Sequence, residues 1–179
     1  LVSLLFVATL AIGPQVANAQ GLLFLDDVSI GAGAEVIIMD GAAIGTITSL
    51  GLTTASDFIA DGLISYAGGV GGGVFSVNVT TGISKPIIFP NVIDLNSINV
   101  STTGGGTLQV GFADNNFVYA GNNLVTNAIG GTTVGTVSTQ YWADPANGYF
   151  SGQTGFQGPF APGAFAGTNN FIAAGLGIF

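Results

Sequence analysis

From Phe75 to Thr80 the chain alternates strictly: Phe75, Val77 and Val79 are apolar, while Ser76, Asn78 and Thr80 are polar. Successive side chains of an extended strand point to opposite faces, so this run has one face to bury and one for water. A helix would scatter the same three apolar residues around its axis. The pattern recurs at Ile98 and Val100 after Asn96, and at Leu108, Val110 and Phe112 after Gly104-Gly105-Gly106. Beyond Gln20 helical periodicity is almost absent, and Gly, Asn, Asp and Thr clusters separate the apolar runs. The spacing predicts an all-β chain, an antiparallel β-sandwich of jelly-roll type.

Further strands are expected over Phe24 to Ile30 and Glu35 to Met39, divided by Gly31-Ala32-Gly33, then over Ile44 to Leu50 after the Asp40-Gly41 turn signal. Residues 51–61 read as a loop or one helical turn. Leu63 to Tyr66 is a strand that ends at the glycine run Gly68 to Gly73. The segment Asp94 to Asp114 reads as a hairpin across its Gly loop, because glycines supply positive φ cheaply. Phe117 to Tyr119 and Val134 to Trp142 are two more candidate strands. Asp144 to Gly167, rich in Gly, Pro, Ala and Phe, predicts a long irregular excursion. Phe171 to Phe179 reads as a last edge strand or a stop in mid-fold.

The first residues have a different character. Leu1 to Ile12 is apolar apart from small hydroxyl residues, Gly13-Pro14 breaks any helix, and Ala17-Asn18-Ala19 follows. That order is a signal peptide, with cleavage expected between Ala19 and Gln20. The apolar run is shorter than the roughly 20 residues a membrane helix needs. No initiator Met or basic segment precedes it, so the chain is expected to start inside its reading frame. Residues 1–19 are thus assigned to a leader and 20–179 to one β-sandwich domain.

Charge excludes whole classes of function. Nine acidic residues face one base, Lys85, with no Arg, His or Cys, for a net charge of −8. With a single cation the chain cannot neutralise a row of phosphates, which argues against nucleic acid and disfavours anionic membranes. Without Cys there are no disulfides, thiolate metal sites or thiol chemistry. Hydrophobic residues make up 48% and charged ones 6%, the opposite of a disordered composition.

Catalysis finds little to work with. A general base would have to be a carboxylate: Asp26-Asp27, Glu35, Asp40, Asp57, Asp61, Asp94, Asp114 or Asp144. Most stand beside Gly or Asn or at strand ends, where Asp bonds its own backbone to make a turn. Hydroxyl nucleophiles lack a His, and Lys85 sits in a Ser84-Lys85-Pro86 bend. Gly68 to Gly73 leads into another strand, so no helix N-terminus is available for a phosphate. Asp57 with Asp61-Gly62, or Asp114-Asn115-Asn116, offers oxygen ligands for a structural Ca²⁺, although neither matches an EF-hand or a calcium β-roll repeat. No cofactor is expected otherwise. The aromatic cluster of the C-terminal third includes Tyr141, Trp142 and Tyr149, which would stack on sugar rings if exposed or plug the end of the fold if buried.

Two strings, ISYAGGVGGGVFSVNVTTGISKP from Ile64 and IDLNSINVSTTGGGTLQVGFAD from Ile93, resemble the middle of bacterial exported proteins of the PEP-CTERM sorting class. Asp94-Leu95-Asn96-Ser97 is the most specific part, and a looser likeness continues through Tyr141 to Asn147 and Gln157 to Phe160. Phe75 stands where the class often has Trp. The Pro-Glu-Pro tail, apolar helix and basic cluster of the class are not among these 179 residues. The resemblance therefore expects either a chain clipped after Phe179 or a member released without sorting. It implies a secreted or surface β-protein without catalytic residues, with exopolysaccharide or surface proteins as partners. The alternatives are a carbohydrate-binding module and an Asp-dependent glycoside hydrolase or lyase.

Overall fold

The computed structural model describes residues 21–30, 34–41, 57, 59–83, 92–115, 117–144 and 148–178. Every element among them is a strand: β1 (Leu22–Asp27), β2 (Val36–Met39), β3 (Leu63–Val70), β4 (Phe75–Ile83), β5 (Asp94–Thr102), β6 (Leu108–Ala113), β7 (Val118–Thr133), β8 (Val137–Ala143), β9 (Gln153–Phe160) and β10 (Gly163–Ile178). They pair antiparallel in the orders β2-β1-β6, β3-β4-β5, β10-β7 and β8-β9. The expected all-β antiparallel architecture is thus present. The segment Ile44 to Leu50 and the expected leader, with its expected cleavage site between Ala19 and Gln20, lie outside the described residues.

One core serves the two three-stranded sheets. Leu23, Leu25, Val36 and Ile38 come from the first, and Ile64, Tyr66, Val70, Phe75, Val77 and Val79 from the second. Strand β1 alternates half-buried and buried residues along its length, as period two requires. Fully burying one such Leu, Val or Phe side chain is worth about 1.5–3 kcal/mol, so ten together dominate the stability of this region.

The hairpin expected over Asp94 to Asp114 does not form. Strand β5 pairs with β4, from Phe75 opposite Thr102 to Ile83 opposite Asp94. Strand β6 instead pairs with β1, from Leu22 opposite Ala113 to Asp27 opposite Leu108. Gly104 to Gly106 therefore carry the chain from one sheet to the other. Before them, the Thr103 N–H donates to the Val74 carbonyl at 3.1 Å and holds the exit. Alternation revealed which face of β6 needed burial; it carried no information about which strand would lie alongside.

Two more expectations are corrected. Strand β3 does not stop at Tyr66 but runs through Gly68 and Gly69 to Val70, paired opposite Val77, Ser76 and Phe75. The Tyr66 ring covers Gly68, and its hydroxyl donates to the Gly69 carbonyl at 2.8 Å. The turn proper is Gly71 to Gly73, all with φ between 64 and 90°, a conformation that other residues adopt only at a cost. The excursion Asp144 to Gly167 is also largely regular, since it contains β9 and the start of β10. There glycine lies beneath a ring: Tyr141 lies opposite Gly155 and covers it so closely that a Cβ would overlap the phenol. Gly111 accommodates Phe24 in the same way. Composition signalled a loop because it counts the glycine but not the aromatic partner across the strand.

Candidate functional site

Asp40 directly follows β2, and 21 residues later Asp61 stands just before β3. Asp40 folds back over the approach to that strand: one carboxylate oxygen accepts the Asp61 N–H at 3.2 Å, the other the Gly62 N–H at 2.8 Å. Asp57 accepts from the Ile59 N–H at 3.2 Å, and Asp61 from the Leu63 N–H at 3.0 Å. These are the self-bonded Asp turns that the sequence predicts. Their convergence is new: the three carboxylates lie within 4.8 Å of one another. Asp57 and Asp61 were the first candidate pair for a hard cation, and the fold adds Asp40 to them. No sequence spacing links Asp40 to the other two; only the approach of β2 to β3 does.

Burial pushes the Asp40 carboxyl above its ordinary value of 3.8, opposed by the N–H groups of Gly62 and Asp61 and reinforced by the charges of Asp57 and Asp61. Asp40 is therefore a carboxyl that takes up a proton more readily than an ordinary one. Chemically the trio offers hard oxygen ligands of the kind a divalent cation accepts. For sugar chemistry it is tight, because glycosidase carboxyl pairs stand about 5–9.5 Å apart.

A second acidic group sits at the other end of β2. Asp27 and Glu35 are each 1% exposed. Glu35 accepts the Asp27 N–H at 2.6 Å, and one Asp27 oxygen accepts the Ser29 N–H at 3.0 Å and the Ser29 hydroxyl at 2.5 Å. The other Asp27 oxygen, Oδ2, is buried without a partner and lies against the Gly71 backbone. The β1 residue beside it, Asp26, also has a buried unpartnered oxygen. Neither residue stands out in the sequence, where both fall inside the strand expected over Phe24 to Ile30.

At the second candidate calcium sequence, Asp114 is buried and accepts the Asn115 N–H at 2.7 Å; Asn116 lies outside the described residues. Tyr149 approaches the same place. Burial and the nearby Asp114 charge raise its phenol pKa, while a hydrogen bond with Asn115 lowers it.

The three candidate sugar-stacking residues do not share a face. Neighbours on β8, Tyr141 and Trp142 point to opposite sides of the strand. Tyr141 is buried, its ring stacked on Phe171 with centroids 5.5 Å apart. Trp142 is half-buried and meets Phe150 edge to face at 5.6 Å, and Phe150 in turn meets Phe24 at 4.9 Å. That row of rings fastens the β8–β9 region onto β1. Tyr149 is half-buried beside it in sequence.

No family model, curated protein or solved structure matches this chain. Among the described residues no helix is long and apolar enough to cross a membrane.

Proposed function

We propose that this chain is a non-catalytic, exported bacterial protein with a structural or interaction role in the envelope or biofilm matrix. In this reading it belongs to the PEP-CTERM sorting class, and its two three-stranded sheets form a β-sandwich. The observation that carries it is the wiring of the converging acids. Asp40, Asp57 and Asp61 each accept backbone N–H groups of the segment that they close. Carboxylates employed in this way hold a chain reversal together without needing a substrate. The leader, the acidic surface and the resemblance around Asp94 to Ser97 support the extracellular destination. Partners are the exopolysaccharide or the proteins of that surface, and no cofactor is required.

Fractionation of the producing cells tests the destination. The chain should be recovered from the surface or medium with Gln20 as its first residue. Recovery from the cytosol alone, with Leu1 to Ala19 attached, would overturn the proposal.

A further inference from the structure

Strands β7 and β10 are the longest of the described strands, 16 residues each, and pair with each other from Val118 opposite Ile178 to Thr133 opposite Gly163. Among the described residues neither pairs with a third strand, so each presents one open edge. At about 3.3 Å per residue such an edge is roughly 50 Å long. Edges of that kind are normally blunted with Lys, Pro, inward charges or very short strands. Here β7 and β10 contain no charged residue and no Pro. Isolated two-stranded ribbons are also marginally stable in water, and gain from further strands.

We propose that the open edges of the β7–β10 ribbon are a homotypic docking surface, to which a second copy of this chain adds its own ribbon edge to edge. Charge distribution favours a copy as the occupant. All nine acidic residues lie at or before Asp144, and β7, β8, β9 and β10 carry none. Two chains of net charge −8 therefore meet with least repulsion through this ribbon. The outward face points the same way. Leu124 and Ile172, directly opposite each other, are both 65% exposed, and Asn170 opposite Thr126 is exposed beside them. An identical neighbouring ribbon extends that face into rows of like apolar and amide side chains, which stabilise stacked strands of identical sequence.

The test is sedimentation velocity of the purified chain over a concentration series, with far-UV circular dichroism alongside. Wild type should sediment as a concentration-dependent oligomer. Ala128→Lys on β7 and Ala166→Lys on β10, both at exposed positions, should weaken association by about tenfold or more with the β spectrum unchanged. Val134→Lys, in the turn after β7 at a site 98% exposed, adds the same charge away from the edge and should associate like wild type. Each lysine reduces the net negative charge, so dissociation by the edge variants alone cannot be a general charge effect. A wild-type monomer at every concentration overturns the proposal, as do edge variants that assemble like wild type or a Val134→Lys that dissociates equally. If the edge variants unfold, hydrogen exchange of wild type decides: β7 and β10 amides must gain protection with concentration, and constant protection overturns the idea. A monomeric result would leave the extracellular reading intact, whereas a cytosolic location would leave the edge pairing intact.

Discussion

The β1–β6 region and the β7–β10 region are built by different physics from the same strand geometry. The first buries Leu, Val, Ile and Phe from two sheets in one apolar cluster. Of the buried hydrophobic side chains described, only Tyr141 and Ala173 belong to β7–β10. There the layers are joined by polar and aromatic contacts. The Gln157 side-chain amide donates to the Asn127 carbonyl at 3.0 Å and to its side-chain oxygen at 2.6 Å, and the Asn169 amide donates to the Phe156 carbonyl at 3.0 Å. Phe160 stacks on Phe165 at 5.2 Å. Strand alternation alone therefore does not produce a dry core; that takes large apolar residues on the facing sides of two sheets.

The sharpest way to break this contrast is to truncate an apolar residue in each region. Leu23→Ala in the first should cost about 2–5 kcal/mol in urea unfolding. Ile172→Ala on the exposed ribbon face should stay within about 0.5 kcal/mol. Similar losses at both positions would show that one core spans the molecule.

The glycines beneath rings come next. Gly111→Ala and Gly155→Ala force a Cβ into the Phe24 and Tyr141 rings and should each cost about 1–3 kcal/mol, measured as shifts in unfolding midpoint. A neutral result at Gly155 alone would mean that the C-terminal region yields where the N-terminal one does not. Gln157→Leu should cost about 1–2 kcal/mol by leaving the Asn127 acceptors without their donor. Its effect belongs to the β7–β10 region and should add to that of Leu23→Ala, since the two sites share no partners.

Asp40 gives a smaller, pH-dependent effect. Its folded-state pKa is raised, so its favourable contribution is complete below the unfolded value of 3.8 and is lost as pH rises through the folded one. Acidifying from about pH 7 towards 4 should thus stabilise wild type relative to Asp40→Asn, read as the change in their urea midpoint difference. A difference constant with pH would remove the carboxyl from this role. The smallest expected effect is that of calcium. Under the turn-closing reading, millimolar Ca²⁺ leaves the melting temperature unchanged; a rise abolished by Asp57→Asn would make the trio a cation site.

The strands were legible wherever apolar residues recurred every second position, as at Phe75-Val77-Val79, because that period is set by backbone geometry. The acids at Asp57 and Asp61 were also legible as self-bonded turns, since those contacts are local. Asp40 was not legible as their neighbour, nor was the burial of Asp27 and Glu35, because those depend on segments distant in sequence. The C-terminal region was misread as irregular because glycine and proline were counted without their cross-strand rings.

By itself, then, the sequence determined the strand character of the alternating runs and the contrast between an acidic N-terminal part and strands β7 to β10, which carry no charge. Those follow from local steric preference and from charge, which need no partner. Tertiary structure alone decided that β6 joins β1 instead of β5, that three distant aspartates meet, and that among the described residues two long uncharged strands pair only with each other. Each is a choice of neighbour, and any antiparallel strand can satisfy the same backbone hydrogen bonds. The choice falls to the packing of side chains across the assembled sheets.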